Sequence, residues 1–287
     1  MWKEIAEHIS QVTGEVFTIN SQSSVSGGCI NQGYRIQSNN RSCFVKLNQA
    51  SQVEMFVAEA LGLKQMYATK TIGIPQPICW GSAGSSAYIV MEWLDLSRGG
   101  NDAWQEMGRQ LARMHRLSKA DKFGWERNNT IGSTPQVNTW TENWAEFFSE
   151  HRIGYQLQLA KKRGGSFPNQ ERVVEVVKKR LADWQPQPSL VHGDLWSGNA
   201  AVTEFGEPVI LDPATYYGDR EVDIAMTELF GGFSRSFYQG YEKEWPLNSG
   251  YQERKKIYNL YHILNHFNLF GGSYGSQAGQ IIKQLIV

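Results

Sequence analysis

The chain has 287 residues, with 28 Lys plus Arg against 28 Asp plus Glu, so its formal net charge is zero. That balance argues against a protein that coats nucleic acid and against a polybasic membrane anchor. Apolar residues make up 41% and charged ones 20%, which is enough for a sizeable core and the wrong balance for intrinsic disorder.

In chain order, residues 3–12 read as a helix with Ile5, Ile9 and Val12 near one face. A Ser- and Gly-rich run follows at Ser21–Cys29, flanked by Phe17–Ile19 and Tyr34–Ile36, which read as short strands. Phe44–Leu47 reads as a further strand and Val53–Tyr67 as a helix, with Met55, Ala58, Leu61 and Leu63 apolar. Gly73–Pro77 is a turn, Ala87–Leu94 alternates as a strand does, and Asp95–Asp102 is a connector. Beyond it the pattern is helical at Trp104–Leu117, Trp140–Leu159 and Glu171–Trp184. Short apolar runs at Leu190–Val191 and Val209–Leu211 bracket a loop, and helices resume from Val222. The expectation is an α+β, two-lobe arrangement: a small strand-rich lobe over 1–95 and a larger, mostly helical lobe over 96–287.

No apolar run reaches the roughly 18 residues of a membrane span. The opening residues, with Glu4 and Glu7 and no hydrophobic stretch, do not read as a secretory signal. Cys29, Cys43 and Cys79 lack CxxC spacing, which fits a reducing compartment, the cytoplasm by default, and no zinc site.

The sharpest chemical signal is Val191-His-Gly-Asp-Leu-Trp-Ser-Gly-Asn199, followed by Val209-Ile-Leu-Asp212-Pro. An Asp and an Asn five residues apart on one loop can do two jobs: Asp194 can accept the proton of an attacking hydroxyl, and Asn199 can hold a divalent metal. Asp212 brings a second metal ligand at the end of a short apolar strand. Phosphoryl transfer needs this set, because its barrier is mostly charge and positioning. The spacing matches the HRDxxxxN loop of protein kinases, followed by a metal-binding Asp. His192 reads as a loop-organising residue, and Asp223 as an N-cap or a brace to the same loop.

Upstream, Phe44-Val45-Lys46 puts a Lys on a strand, as in the kinase VAIK pattern, and Glu59 on the next helix is its best partner. Together they would hold the ATP phosphates. Gly27 and Gly28 depart from GxGxxG, but a flexible turn of free N–H groups can still cap phosphates. Met91-Glu92-Trp93-Leu94, just before the connector, is where adenine would meet backbone groups. Trp196 can wall the substrate or pack in the core, Asp219 and Glu221 can contact substrate or form surface salt bridges, and His266 is a substrate candidate or a satisfied core histidine. His115 and His151 read as structural.

HGDLWSGN (192–199), DPATYYGDREVDIAMTELFGGF (212–233), Gly27-Gly-Cys-Ile30, Pro135-Gln-Val-Asn-Thr-Trp140 and Tyr261-His-Ile-Leu-Asn-His-Phe-Asn-Leu-Phe-Gly271 together resemble the fructosamine-3-kinase (ketosamine-3-kinase) family, from about residue 10 to the C-terminus. The resemblance implies a protein-kinase-like fold related to aminoglycoside phosphotransferases. It implies ATP and Mg2+ as cofactors, and phosphorylation of the sugar 3-hydroxyl of ketosamines. Those adducts are small or protein-bound, and the 3-phosphate eliminates to regenerate the amine. It further implies a preference for ribulosamines and erythrulosamines in bacterial relatives. A Cys at position 29 implies redox control, with a monomer or a redox-sensitive homodimer as the expected state. The rivals are a kinase of this fold acting on an aminoglycoside, choline or homoserine, a pseudokinase, and a protein kinase. Lys46, Asp194, Asn199 and Asp212 are all present, against the second, and no APE follows Asp212, against the third.

Overall fold

The computed structural model describes residues 1–26, 30–39 and 41–286. Helix α1 (Trp2–Thr13) precedes strands β1 (Ser21–Val25), β2 (Gln32–Gln37) and β3 (Ser42–Gln49), helix α2 (Val53–Ala68), and strands β4 (Pro77–Ala83) and β5 (Ser86–Glu92). The five strands form one antiparallel sheet in the order β1-β2-β3-β5-β4. Two expectations fail here. The Ser-rich stretch is itself strand β1, paired from Ser21↔Gln37 to Val25↔Gly33, whereas residues 17–19 are not strand. β1 is an edge strand with four exposed residues, so it shows no apolar alternation to read. Phe17 instead drops into the core under α1 with Ile5 and Ile9. The other edge strand, β4, begins at Pro77, the strand position that tolerates a missing N–H.

The chain then forms β6 (Leu96–Ser97), α3 (Asn101–Leu117) and the hairpin β7 (Asn129–Ile131) and β8 (Thr134–Gln136). Helix α4 (Trp144–Phe147), a π-helical turn (Phe148–Gly154) and α5 (Tyr155–Lys162) follow, then α6 (Gln170–Leu181) and β9 (Ser189–Val191). The last elements are β10 (Ala200–Thr203), β11 (Pro208–Ile210), β12 (Tyr216–Gly218), α7 (Glu221–Leu229), α8 (Arg235–Glu244), α9 (Tyr251–Phe270) and α10 (Tyr274–Ile286). The single helix expected over 140–159 is therefore capped late and broken. Asn143 accepts the Glu146 N–H as N-cap, and the π turn delivers Arg152 into the core. There its guanidinium donates to Val137 O at 2.5 Å and Asn138 Oδ1 at 2.7 Å and lies 4.1 Å from the Tyr216 ring.

The connector is not a free linker. β6 pairs with β10, Ser97 opposite Val202 and Leu96 opposite Thr203, in a three-stranded sheet ordered β11-β10-β6. One apolar core is shared across the molecule: Phe56, Leu63, Ile89 and Met91 meet Met107, Leu111, Leu190 and Phe237. At about 1.5–3 kcal/mol for each fully buried large side chain, this layer ties the strand-rich and helical parts together.

Candidate active site

β9 feeds the loop 192–199 and β10 leaves it. The His192 imidazole is fully buried, and its Nε2 donates to Leu211 O at 2.7 Å while Nδ1 accepts the Asp194 N–H at 3.2 Å. Burial holds its pKa below the ordinary value, so the ring is a neutral spacer between the loop and the strand end before Asp212. Asp223, buried on α7, accepts the His192 N–H at 2.7 Å and the Gly193 N–H at 2.8 Å, and His115 Nε2 lies 3.0 Å from the same carboxylate. Gly193 has φ +81°, and a Cβ there would sit 2.2 Å from Ala214 O. No side chain fits this turn.

Asp194 is held at the mouth of this loop. Burial, then the nearby Asp212 and Asp223 carboxylates, push its pKa up to about 7, opposed by the Asn199 amide. Asn199 Nδ2 donates to Asp194 O at 2.9 Å, and its Oδ1 has no partner among the described residues. Asp212 Oδ1 is 2.6 Å from Lys46 Nζ, and Oδ2 has no partner among the described residues. Asp212 has φ +55°, a left-handed conformation that Asp tolerates better than most residues and that marks a position held for a purpose. Two hard oxygen donors thus face one cavity, and no group of three or more His, Cys, Asp or Glu suited to a metal occurs among the described residues.

Lys46, on β3, is 6% exposed, and its Nζ lies 2.6 Å from Glu59 Oε1 on α2. Burial alone would lower its pKa; the Asp212 and Glu59 carboxylates outweigh this and raise it, so the ammonium stays charged.

These residues line one cleft of about 440 Å³. Its outer wall carries Phe44 and Met91 to Leu94. The Glu92 N–H already donates to Gln76 O, so Glu92 offers no free donor, whereas the Leu94 N–H has no backbone partner among the described residues. The same cleft is lined by Trp196, the β7–β8 hairpin and Asn265, His266, Leu269 and Phe270 of α9. Trp196 is 39% exposed. His266 Nδ1 donates to His262 O at 2.9 Å, so its Nε2 is an acceptor, and the ring lies 4.6 Å from Phe230.

Asp219 and Glu221 do not join this cleft, contrary to expectation. Both are 0% exposed. Asp219 accepts the Trp184 indole N–H at 2.6 Å and the Tyr258 hydroxyl at 2.5 Å, and Glu221 forms a two-point pair with Arg254. They are internal struts, and only the distant partners reveal it. Gly27, Gly28 and Cys29 lie outside the described residues. Unanticipated was a buried amide network behind the cleft. Gln136 Nε2 donates to Asn129 Oδ1 and Ala214 O, Asn129 Nδ2 to Thr215 O, and the Tyr261 hydroxyl to Gln136 Oε1.

A five-stranded sheet carrying Lys46, paired with Glu59 of α2, together with a mostly helical part carrying the Asp194–Asn199 loop and Asp212, defines a protein-kinase-like phosphotransferase. The family model for fructosamine kinase matches residues 1–287. A relative named "Probable ketoamine kinase" from Synechocystis is 60% identical over 285 residues, 99% of this chain and 97% of the relative. The chloroplastic protein-ribulosamine 3-kinase of Arabidopsis thaliana is 46% identical over 279 residues, 95% of this chain and 85% of the relative. A Haemophilus somnus crystal structure named "Putative fructosamine-3-kinase" superposes with a TM-score of 0.95 at 34% identity, covering 100% and 98% of the two chains. At the level of fold alone, spectinomycin phosphotransferase, solved with ADP and spectinomycin, gives a TM-score of 0.60 at 15% identity, with 98% and 93% covered. The chain belongs to the fructosamine kinase family.

Proposed function

We propose that this protein transfers the γ-phosphoryl group of ATP to the sugar 3-hydroxyl of ketosamines, ribulosamines, erythrulosamines or fructosamines, and so initiates deglycation. The observation that carries the reading is the convergence of Asp194, Asn199, Asp212 and Lys46 on one cleft that polar and aromatic side chains, Trp196, Asn265 and His266 among them, also line. The names of the full-length relatives support the substrate class.

Lys46, kept charged and aimed by Glu59, binds phosphate oxygens. Backbone groups near Leu94 and the Phe44 wall take the adenine. Asn199 Oδ1 and Asp212 Oδ2 would hold Mg2+, which suits two hard oxygens because that ion keeps several waters and phosphate ligands and rarely uses an all-protein cage. When bound, it neutralises charge on the transferring phosphoryl group. Asp194 accepts the 3-hydroxyl proton as the new O–P bond forms and the β–γ bridging bond breaks, leaving ADP. A base with a pKa near the working pH is suited to that transfer. Trp196 and the neutral, accepting His266 Nε2 flank the sugar. The buried, free Cys43 and Cys79 suit a reducing compartment and support a cytoplasmic location.

The test offers ATP, Mg2+ and ribuloselysine, erythruloselysine or fructoselysine to the purified protein, with the phosphate position read by NMR. A 3-phosphate from any of the three supports the proposal. ATP binding without turnover of any of them overturns the substrate class.

A further inference from the structure

Asn265 and Asn268 lie about one turn apart on α9 and both meet Gln156 of α5. The direction of all three amides is anchored by one backbone carbonyl. Gln156 O can only accept, and the Asn268 side chain approaches it at 2.9 Å, so that end of Asn268 is its NH2 group. The same Nδ2 donates to Gln156 Oε1 at 2.6 Å. With Oε1 engaged, the Gln156 NH2 group is the end that reaches Asn265, donating to Oδ1 at 3.2 Å. Asn265 therefore turns its own NH2 group the other way. That Nδ2 has no partner among the described residues, and Asn265 lines the cleft with Asp194, Trp196 and His266. The relay comes at a cost, because Asn268 Oδ1 is buried without a partner among the described residues.

Asn129, another amide on the cleft wall, is already engaged at both ends: its Nδ2 donates to Thr215 O, and its Oδ1 accepts from Gln136 and Asn138. Asn265 presents a donor that the fold has oriented and left unspent.

We infer that Asn265 is a specificity-determining residue whose Nδ2 donates to an oxygen of the acceptor sugar, and that Gln156 is the positioning residue that fixes the direction of that donor. The inference rests on the ketosamine kinase reading. A site built to hydrogen-bond a substrate oxygen rejects the analogue lacking it, because its own donor is then left unpaired.

The experiment measures KM and kcat for the best ketosamine, KM for ATP, and thermal unfolding in the wild type, Asn265→Ala and Gln156→Glu. It adds a panel of deoxy analogues of that ketosamine, each lacking one hydroxyl other than the 3-hydroxyl or the carbonyl oxygen. Asn265→Ala is expected to raise the ketosamine KM about tenfold, the size of one lost polar hydrogen bond, with ATP KM unchanged. The carboxylate in Gln156→Glu has no N–H, so Asn265 must rotate and donate to it; the ketosamine KM rises although residue 156 does not line the cleft. One deoxy analogue, poor with the wild type, is bound as well as its parent by Asn265→Ala. Should Gln156→Glu fail to fold, Asn265→Ala and the deoxy panel still decide. An Asn265→Ala enzyme with wild-type ketosamine KM, or one whose ATP KM rises equally, overturns the inference while leaving the ketosamine kinase reading intact. A wild type inactive on every ketosamine overturns both.

Discussion

Asp223 accepts the His192 N–H through Oδ2 at 2.7 Å, and its other oxygen takes the next N–H, of Gly193, at 2.8 Å. One buried carboxylate thus fixes two consecutive peptide planes immediately before Asp194. We expect Asp223→Asn to cost about 3 kcal/mol, because it replaces a charged acceptor of several buried donors. Urea unfolding measures that cost, and turnover falls with it. Gly193→Ala acts on the same turn from the other side: the added methyl collides with Ala214 O, so turnover is lost even where the fold survives. Wild-type stability in Asp223→Asn overturns the bracing role.

Asp194→Asn keeps the shape and the Asn199 contact but removes the proton acceptor. A positioned base typically contributes about 10²–10⁴ in rate. Turnover should fall by at least about two decades, with nucleotide affinity nearly unchanged, as read by steady-state kinetics beside calorimetric titration of a nucleotide. Wild-type turnover rules out Asp194 as the base.

Glu59→Gln leaves Lys46 with one carboxylate partner, Asp212, in place of two. A buried hydrogen bond between charged groups is worth about 1.5–3 kcal/mol, so the ATP KM should rise roughly ten- to a hundredfold. The ketosamine KM should move little, which separates this effect from general unfolding. An unchanged ATP KM removes Glu59 from the nucleotide site.

His262 sets an acid limit on stability. Burial first, then the His266 ring, hold its pKa at about 3 against an ordinary 6.5, and its Nδ1 has no partner among the described residues. Between those two values the unfolded chain binds a proton that the fold excludes. Its contribution is therefore intact above 6.5 and is lost as pH falls towards 3, at up to about 1.4 kcal/mol per pH unit. Unfolding free energies at pH 7, 6, 5 and 4 should fall less steeply in His262→Leu than in the wild type. Parallel curves would show that the ring protonates in place.

The residues of the candidate site were readable where chemistry imposes a fixed spacing. Asp194, Asn199 and Asp212 are tied by loop length and strand end, and Lys46 and Glu59 by adjacent elements. What escaped depends on partners far along the chain. Asp219 and Glu221 carry no mark of burial until Tyr258, Trp184 and Arg254 are placed around them. Asn265 is one of several polar residues on a helix, and only Gln156, more than a hundred positions away, gives its amide a direction. β1 was missed because a polar edge strand has no periodicity. The helix at 140–159 was overrun because nothing in its apolar spacing reveals Arg152 turning inward through a π turn.

The pairing of β6 with β10 has a mechanical consequence. Because Leu96 and Ser97 belong to the three-stranded β11-β10-β6 sheet, and Asp95 O accepts the Glu204 N–H at 2.9 Å, the chain that leaves β5 at Glu92 crosses from one sheet to the other in two residues, Trp93 and Leu94. Those two residues also line the cleft. Whatever seats against their backbone holds the crossing between the two sheets, so occupancy should damp local opening in both. Slower amide exchange would then reach strands that no ligand touches.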